Sequence, residues 1–148
     1  MKRKKSKNNT IGRSDKADFP EFDLKELNIK IDSGAYTSAI HCCKIETNHD
    51  GLIEVIFLDE NDPKFSGEAH LFKEFEQKQV RSSNGETEDR FVITTKIKLG
   101  ENLYPIEMSL TFRGDMSFPV LVGRRFLSKN RFVVNPRLKN HIHKKSLK

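Results

Sequence analysis

The sequence predicts an all-β fold with one short helix. Residues 90–99 and 102–112 alternate polar and apolar side chains, as strands with one buried face do. Gly100 lies in the short connection between these two segments, so we expect them to pair as a hairpin. Asn84-Gly85 is a second turn signal, because both residue types tolerate a positive φ. Helical periodicity is scarce in the rest of the chain, so strands are expected to build the core.

The remaining elements follow from apolar runs and from the turns between them. Asn84-Gly85 is expected to join two arms at residues 70–80 and 88–97. The run at 52–58 has the length of a strand and is expected to be buried on both faces. Residues 59–68 contain Asn, Asp, Pro and Gly and are expected to form a loop. Further strands are predicted at residues 27–31, 38–47, 120–122 and 132–134, and the short helix at 123–127.

Charge is concentrated at the two ends of the chain. The 148 residues carry a net charge of +6, but residues 1–9 hold five basic residues and residues 139–148 hold four, with no acid in either segment. The remainder has 18 basic against 21 acidic residues. We therefore expect one domain at residues 10–138, flanked by disordered basic tails at 1–9 and 139–148. Such tails can hold nucleic acid or another anionic partner.

The sequence predicts a cytoplasmic protein. It has no apolar run long enough to span a membrane, and its basic N-terminus lacks the apolar stretch of a signal peptide. Cys42 and Cys43 are adjacent, which strains a disulfide between them, so they are expected to be reduced thiols.

Two separated motifs carry the predicted chemistry. Asp32-Ser33-Gly34-Ala35 follows an apolar strand, and Val120-Leu121-Val122-Gly123-Arg124 precedes the predicted helix. Asp, Ser and Gly are ordinary turn residues, so the first motif gains its weight from the second. Metal-free peptide hydrolysis needs one carboxylate to activate water and another to donate a proton, and two carboxylates held close together share a proton, as the aspartic proteases show.

Each residue of these motifs has an expected role. Asp32 is the predicted catalytic carboxylate, Gly34 permits a sharp turn close to the substrate, and the Ser33 hydroxyl can brace the loop against its partner. The small Ala35 leaves room beside the carboxylate. Val122, Gly123 and Arg124 are expected to pack behind the loop and hold it rigid.

The combination resembles one lobe of a retropepsin-type aspartic peptidase, a single-lobe barrel. The segments IDSGAYTSAIH, VRSSNGETEDRFVITTKIKLG and MSFPVLVGRRF are similar to a bacterial and archaeal family that carries the name ATP-dependent zinc proteases. The similarity covers most of residues 11–136, although the family more often has Thr at position 33 and Asp at positions 112 and 135. Some members are encoded beside a ligase that adds glutamates to the C-terminus of a ribosomal protein. The resemblance implies a hydrolase acting on acidic, oligoglutamate-type tails.

The resemblance also implies a homodimer. The chain contains one Asp-Ser-Gly motif and has the length of one lobe, so a twofold-related copy is expected to supply the second aspartate. A flap would close over the cleft, with its tip formed by Ser82, Ser83, Asn84 and Gly85; an ordinary exposed turn is the alternative. Arg81, Arg90 and Arg113 are candidates to grip substrate carboxylates, because arginine offers a planar, two-pronged donor. Arg124 is the arginine expected to be structural.

Two alternatives stay open. A non-catalytic module could use the same fold and arginines to hold acidic tails, with the basic ends docking on ribosomal RNA. The family name suggests a zinc hydrolase as the second alternative. No cofactor and no metal are expected, because the sequence has neither a Gly-rich phosphate loop with Lys-Ser/Thr nor an HExxH helix. His41, Cys42 and Cys43 are the nearest approach to a zinc motif, but consecutive strand residues point to opposite faces and cannot converge on one ion.

Overall fold

The computed structural model describes residues 9–81, 85–112 and 117–147, and the all-β class is confirmed. Within these residues the strands are β1 (Asn9–Ile11), β2 (Ser14–Phe19), β3 (Leu24–Asp32), β4 (Ser38–Thr47), β5 (Ile53–Phe57), β6 (Ala69–Phe72), β7 (Glu76–Arg81), β8 (Thr87–Leu99), β9 (Asn102–Thr111), β10 (Val120–Gly123) and β11 (Phe132–Val134). The helices are α1 (Arg124–Lys129), α2 (His141–Ser146) and one 3-10 turn, Pro20–Phe22.

Six strands close into a barrel because β10 joins two others. The hydrogen-bonded order is β10-β3-β2-β8-β9-β4-β5-β6, and β10 also pairs with β4. The ring therefore runs from β10 through β3, β2, β8, β9 and β4 back to β10. Strands β5 and β6 extend the sheet beyond the ring, and β7 extends it from β8. A separate two-stranded parallel sheet joins β1 to β11.

The alternating pattern predicted for residues 90–99 matches the burial of residues 93–99 in β8. In β8, Ile93, Thr95, Ile97 and Leu99 are buried while the residues between them are exposed. Strand β9 pairs with β8 from Leu99↔Asn102 to Val92↔Ser109, and Gly100 adopts a φ of +62° in the turn. Strand β9 departs from the predicted alternation over residues 102–112. Met108, Ser109, Leu110 and Thr111 are all buried, and Phe112 at the end of the segment is 63% exposed.

Two strand predictions need correction. The run at 52–58 buries one face, since Glu54 and Ile56 of β5 are half-exposed between buried neighbours. The arm predicted at 70–80 is divided into β6 and β7. His70 and Phe72 contact the ring of Phe22, which draws β6 against β5, while β7 pairs with β8.

The two ends of the domain also differ from the prediction. Residues 139–147 are not a disordered tail, because α2 lies within them and packs against β1 and β2. The cause is Asp15, which is fully buried in β2. Its carboxylate accepts the backbone N–H groups of Ile142 (3.0 Å) and His143 (3.1 Å), and also that of Lys16 (2.8 Å). The expected N-terminal tail lies outside the described residues except for Asn9, which begins β1.

No helix within residues 9–81, 85–112 and 117–147 is long and apolar enough to cross a bilayer.

We expect Asp15→Ala to release α2 from the barrel. The substitution leaves two backbone N–H groups of α2 without their buried acceptor, and the cost of losing such charge-assisted bonds is about 1–3 kcal/mol. Urea unfolding measures this loss, and amide hydrogen exchange at Ile142 and His143 should accelerate. Asp18→Ala is the matched control, because its carboxylate accepts one exposed bond, from the backbone N–H of Glu26. Equal effects of the two substitutions would contradict the assignment of Asp15.

Candidate active site

The Asp32 loop is a tight turn at the end of β3. The N–H of Gly34 donates to Oδ1 of Asp32 (3.0 Å), and the N–H of Ala35 donates to the backbone carbonyl of Asp32 (3.2 Å). Asp32 is half-buried, whereas Ser33 and Gly34 are exposed. The turn therefore fixes one carboxylate oxygen from within and presents the loop at the surface.

Strand β10 supports this loop from behind. The parallel register places Val122 beside Ile31 and Gly123 beside Asp32. The N–H of Gly123 donates to the Ser38 hydroxyl (3.0 Å). A Cβ at position 123 would lie 2.4 Å from the Thr37 carbonyl oxygen, so only glycine fits between β10 and the loop.

Arg124 braces the same loop through three contacts. Its backbone N–H donates to the Ala35 carbonyl (2.6 Å), and its Nη1 donates to the Ser33 carbonyl (3.2 Å). Its guanidinium carbon lies 5.4 Å from the ring centroid of Tyr36, a cation–π distance. These contacts are those of a positioning residue, which is the role expected for Arg124.

The predicted flap is the β7–β8 hairpin, and its arms are described up to Arg81 and from Gly85. Ser82, Ser83 and Asn84 lie outside the described residues, while Gly85 is exposed with a φ of +89°. The register opposes Lys78 to Arg90 and Val80 to Glu88, so these residues share one face of the hairpin.

Of the three predicted substrate arginines, the two that the structure describes lie on opposite faces of the flap. Arg81 is exposed on the opposite face of the flap from Val80, because neighbouring strand residues alternate. Arg90 lies on the face of Lys78 and forms an ion pair with Glu88 (Nε to Oε1, 2.6 Å). Arg113 lies outside the described residues.

A cleft of about 380 Å³ is lined by residues of the flap strands β7 and β8, of β9 and of α1. Residues 36–38, directly after the Asp32 loop, also line it, and Ser38 is the residue whose hydroxyl accepts the N–H of Gly123. Asp32 itself is not among the lining residues. The walls are Tyr36, Thr37, Ser38, Lys78, Gln79, Val80, Val92, Thr94, Pro105, Ile106, Glu107, Ser109, Arg125, Phe126 and Lys129.

The cleft contains a charged cluster that the sequence interpretation missed. Glu107 of β9 binds Lys78 of the flap (Oε1 to Nζ, 3.0 Å) and approaches Arg125 of α1 (Oε2 to Nη1, 3.5 Å). Lys129 adds a third positive charge nearby, and the bond from Lys78 is the main cause that lowers the pKa of Glu107 below its usual value. The sequence held one signal for this cluster, the pair Arg124-Arg125. Adjacent helical residues point about 100° apart, so if one of these arginines contacts the Asp32 loop, the other must point elsewhere.

The residues of the zinc alternative are used differently. His41 bonds Asp59 (Nε2 to Oδ2, 2.8 Å). The N–H of Asn61 is the main cause that lowers the pKa of Asp59, and the bond with His41 lowers it further. Burial raises the pKa of the Cys42 thiol, which disfavours the thiolate that binds zinc. Cys43 is exposed. Within the described part of the chain, no three His, Cys, Asp or Glu side chains come together as a metal-binding group.

Comparison with known proteins agrees with this architecture. A model of the RimB-like family, described as "Retropepsin-like aspartic endopeptidase RimB", matches residues 10–145. A solved structure of a Legionella pneumophila protein of unknown function superposes with a TM-score of 0.68, covering 90% of this chain and 97% of that one at 24% identity. At that identity the likeness shows a shared fold.

Three curated relatives are longer proteins that are named as ligases and not as endopeptidases. A "Probable alpha-L-glutamate ligase" of Shewanella pealeana is 33% identical over 138 residues, and one of Shewanella halifaxensis is 32% identical over the same length. A third, from Desulfotalea psychrophila, is 29% identical over 140 residues. The matches cover 85–86% of this chain, but the chain spans only 28% of the length of each relative.

We expect Gly123→Ala to displace the Asp32 loop. The added Cβ would overlap the carbonyls of Thr37 and Ala35, and overpacking of this kind costs about 1–3 kcal/mol. The amide resonances of Gly34 and Ala35 should shift in NMR spectra. Val120→Ala is the control, because it removes buried volume from the same strand at a position paired with Ile29. Unchanged loop resonances in Gly123→Ala would contradict the proposed support.

Proposed function

Because this chain belongs to the RimB-like family of retropepsin-like aspartic endopeptidases, we propose that it hydrolyses peptide bonds with Asp32 as its catalytic carboxylate. The observation that carries the proposal is the support of the Asp32 loop. The carboxylate is oriented by the N–H of Gly34, and the loop is held by Gly123 and Arg124 from behind. Such a preformed arrangement is what positional catalysis requires.

The proposed reaction uses two copies of Asp32 across a dimer axis. The chain supplies one Asp-Ser-Gly loop, whose Ser33 and Gly34 are exposed and therefore accessible to a second copy. Two such carboxylates close together share one proton. The ionised one takes a proton from water, whose oxygen attacks the peptide carbonyl, and the protonated one supplies the proton that the departing nitrogen needs.

We propose acidic peptides, including glutamate-rich C-terminal tails, as the substrate. Two observations support this substrate class. The charged residues that line the cleft are three cations and one carboxylate, so this surface favours a negatively charged chain. The relatives that contain a segment similar to this chain are named as glutamate ligases, which connects the segment with glutamate chemistry in one polypeptide.

The cationic cleft also supports a second candidate, a binding module for acidic tails without hydrolysis. The same contacts would hold the tail, and basic residues in segments 1–9 and 139–148 could add an electrostatic association with ribosomal RNA. Lys144 and Lys145 would then act from the exposed surface of α2. Loss or retention of product formation on changing Asp32 separates the two candidates.

Asp32→Asn should abolish hydrolysis of a glutamate-rich peptide while preserving the fold. Asn has nearly the same shape but can neither accept the proton from water nor carry the shared proton, and general acid–base catalysis contributes about 100-fold or more. Mass spectrometry of the peptide after incubation measures the product. Asp50→Asn, at an exposed turn position, is the matched control.

General acid–base catalysis contributes about 100-fold or more, so activity of Asp32→Asn within about tenfold of the unmodified protein is too high for a catalytic Asp32. That result would remove Asp32 from the mechanism. A chelator arm tests the zinc alternative in the same assay: activity should persist, and a loss restored by added zinc would favour a metal-dependent hydrolase. Intact peptide with every variant, including the unmodified protein, would favour the binding module.

The protein should dimerise through the face that carries Ser33 and Gly34. Two half-sites must meet for the carboxylates to share a proton, and a peptide bridging both halves should strengthen the association. Sedimentation at several protein concentrations, with and without an acidic peptide, measures the oligomeric state. Ser33→Arg should weaken the dimer by placing two like charges near the axis, whereas Ser66→Arg in the loop after β5 should not. Only monomer at high concentration with peptide present would count against the dimer.

A further inference from the structure

The charged cluster in the cleft is built from residues of three elements. Lys78 belongs to the flap arm β7, Glu107 to the barrel strand β9, and Arg125 and Lys129 to α1. The side chains of Lys78, Glu107 and Arg125 are 38%, 36% and 52% exposed, so each borders the cleft and none is sealed in the core. Three elements therefore direct charge to one place.

We propose that Lys78, Arg125 and Lys129 are the residues that select acidic side chains of the substrate, and that Glu107 competes with the substrate for these cations. The inference rests on the proposed function, because it names the substrate-reading groups of the same cleft. It assigns the selection to residues other than the predicted Arg81, Arg90 and Arg113.

The cluster has donors to spare after Glu107 is bound. A lysine ammonium carries three N–H donors and an arginine guanidinium carries five. Glu107 approaches one nitrogen of Lys78 and one of Arg125, and Glu76 lies at 3.9 Å from the Lys78 ammonium. The remaining donors can bind a carboxylate that enters the cleft. Val80, Val92 and Phe126 line the same space and offer apolar contact to the methylene groups of a glutamate side chain.

Glu107 already contacts the two cations, Lys78 and Arg125, that an incoming carboxylate would bind. Its bond to Lys78 lowers its pKa, so it is ionised at neutral pH, and its negative charge opposes a second carboxylate beside it. An acidic substrate must either share the cations with Glu107 or displace it. Removal of the charge at Glu107 should therefore strengthen binding of acidic peptides, whereas removal of Lys78 or Arg125 should weaken it.

The expected size of each effect is modest because these groups are partly exposed to water. Exposed charge pairs contribute small free energies that salt screens further. We expect about twofold to fivefold weaker binding for each of Lys78→Met and Arg125→Met, and about twofold to fivefold tighter binding for Glu107→Gln, at low salt. All three changes should shrink as salt is added.

The experiment measures peptide binding in the full chain with Asp32→Asn, so that hydrolysis does not consume the ligand. Fluorescence anisotropy compares a labelled glutamate-rich peptide with a peptide that has Gln at the same positions. The matched controls are Lys25→Met and Arg137→Met, which remove exposed cations that do not line the cleft. Lys78→Arg keeps the charge and should retain most of the binding, and a thermal melt of each variant verifies folding.

Tighter binding of the Glu peptide by Glu107→Gln and weaker binding by Lys78→Met, with neither change for the Gln peptide, would establish that the cluster selects acidic side chains. Weaker binding of both peptides by all three variants would indicate a purely structural cluster and overturn it. Equal binding of the two peptides at low salt, or no binding of the Glu peptide, would also overturn it.

The same set separates this inference from the peptidase proposal. If the unmodified protein hydrolyses Glu and Gln peptides equally and the variants change neither binding nor turnover, the peptidase stands and the selection by the cluster fails. If the binding signs are as expected but the unmodified protein forms no product, the selection stands and the peptidase fails.

Discussion

The contact between Gly123 and the carbonyls of Thr37 and Ala35 determines how the rest of the site can be arranged. It brings the end of β10 against the Asp32 loop, with no room for a side chain between them. In the same four residues β10 pairs with both β3 and β4 and so closes the barrel. A single short strand thus joins the stability of the fold to the position of the carboxylate, and a distortion at this point would disturb both.

The flap is tied to this framework by charge at its base. Beyond the β7–β8 ladder, Lys78 binds Glu107 on β9, and Glu107 in turn approaches Arg125 on the helix that follows β10. Because α1 begins directly after Gly123, the cation that faces the cleft and the arginine that braces the loop are neighbours in sequence. Arg124 and Arg125 diverge around the helix, so one holds the loop and the other reaches the cleft.

Much of the fold could be predicted because strand alternation and turn chemistry are local properties. Ser38–Thr47 and Phe132–Val134 have the predicted bounds, and the Gly100 hairpin is confirmed. The division of 70–80 and the docking of α2 could not be predicted, since they depend on Phe22 and on the buried Asp15, both distant in sequence from the segments that they hold.

The Asp32 loop and its support by Gly123 were predictable, because the Asp-Ser-Gly motif and the later apolar-Gly-Arg motif occur in the order that the resemblance requires. The structure pairs the strands that carry them, with Gly123 beside Asp32. The cleft cations were not predictable, because Lys78, Glu107 and Arg125 belong to three separate elements and acquire a common role only through the tertiary structure.

The distribution of charge gives a physical reason to place substrate selection inside the cleft. Outside the terminal segments the chain has 18 basic and 21 acidic residues, so the body of the domain has no long-range attraction for an acidic peptide. The cleft differs in sign, with three cations against Glu107. Under the proposed function, attraction would act over the short range at which hydrogen bonds to Lys78 and Arg125 can form, where partial shielding from water strengthens them. Because Glu107 already neutralises part of that charge, an acidic substrate would have to share these cations with Glu107 or displace it, as proposed above.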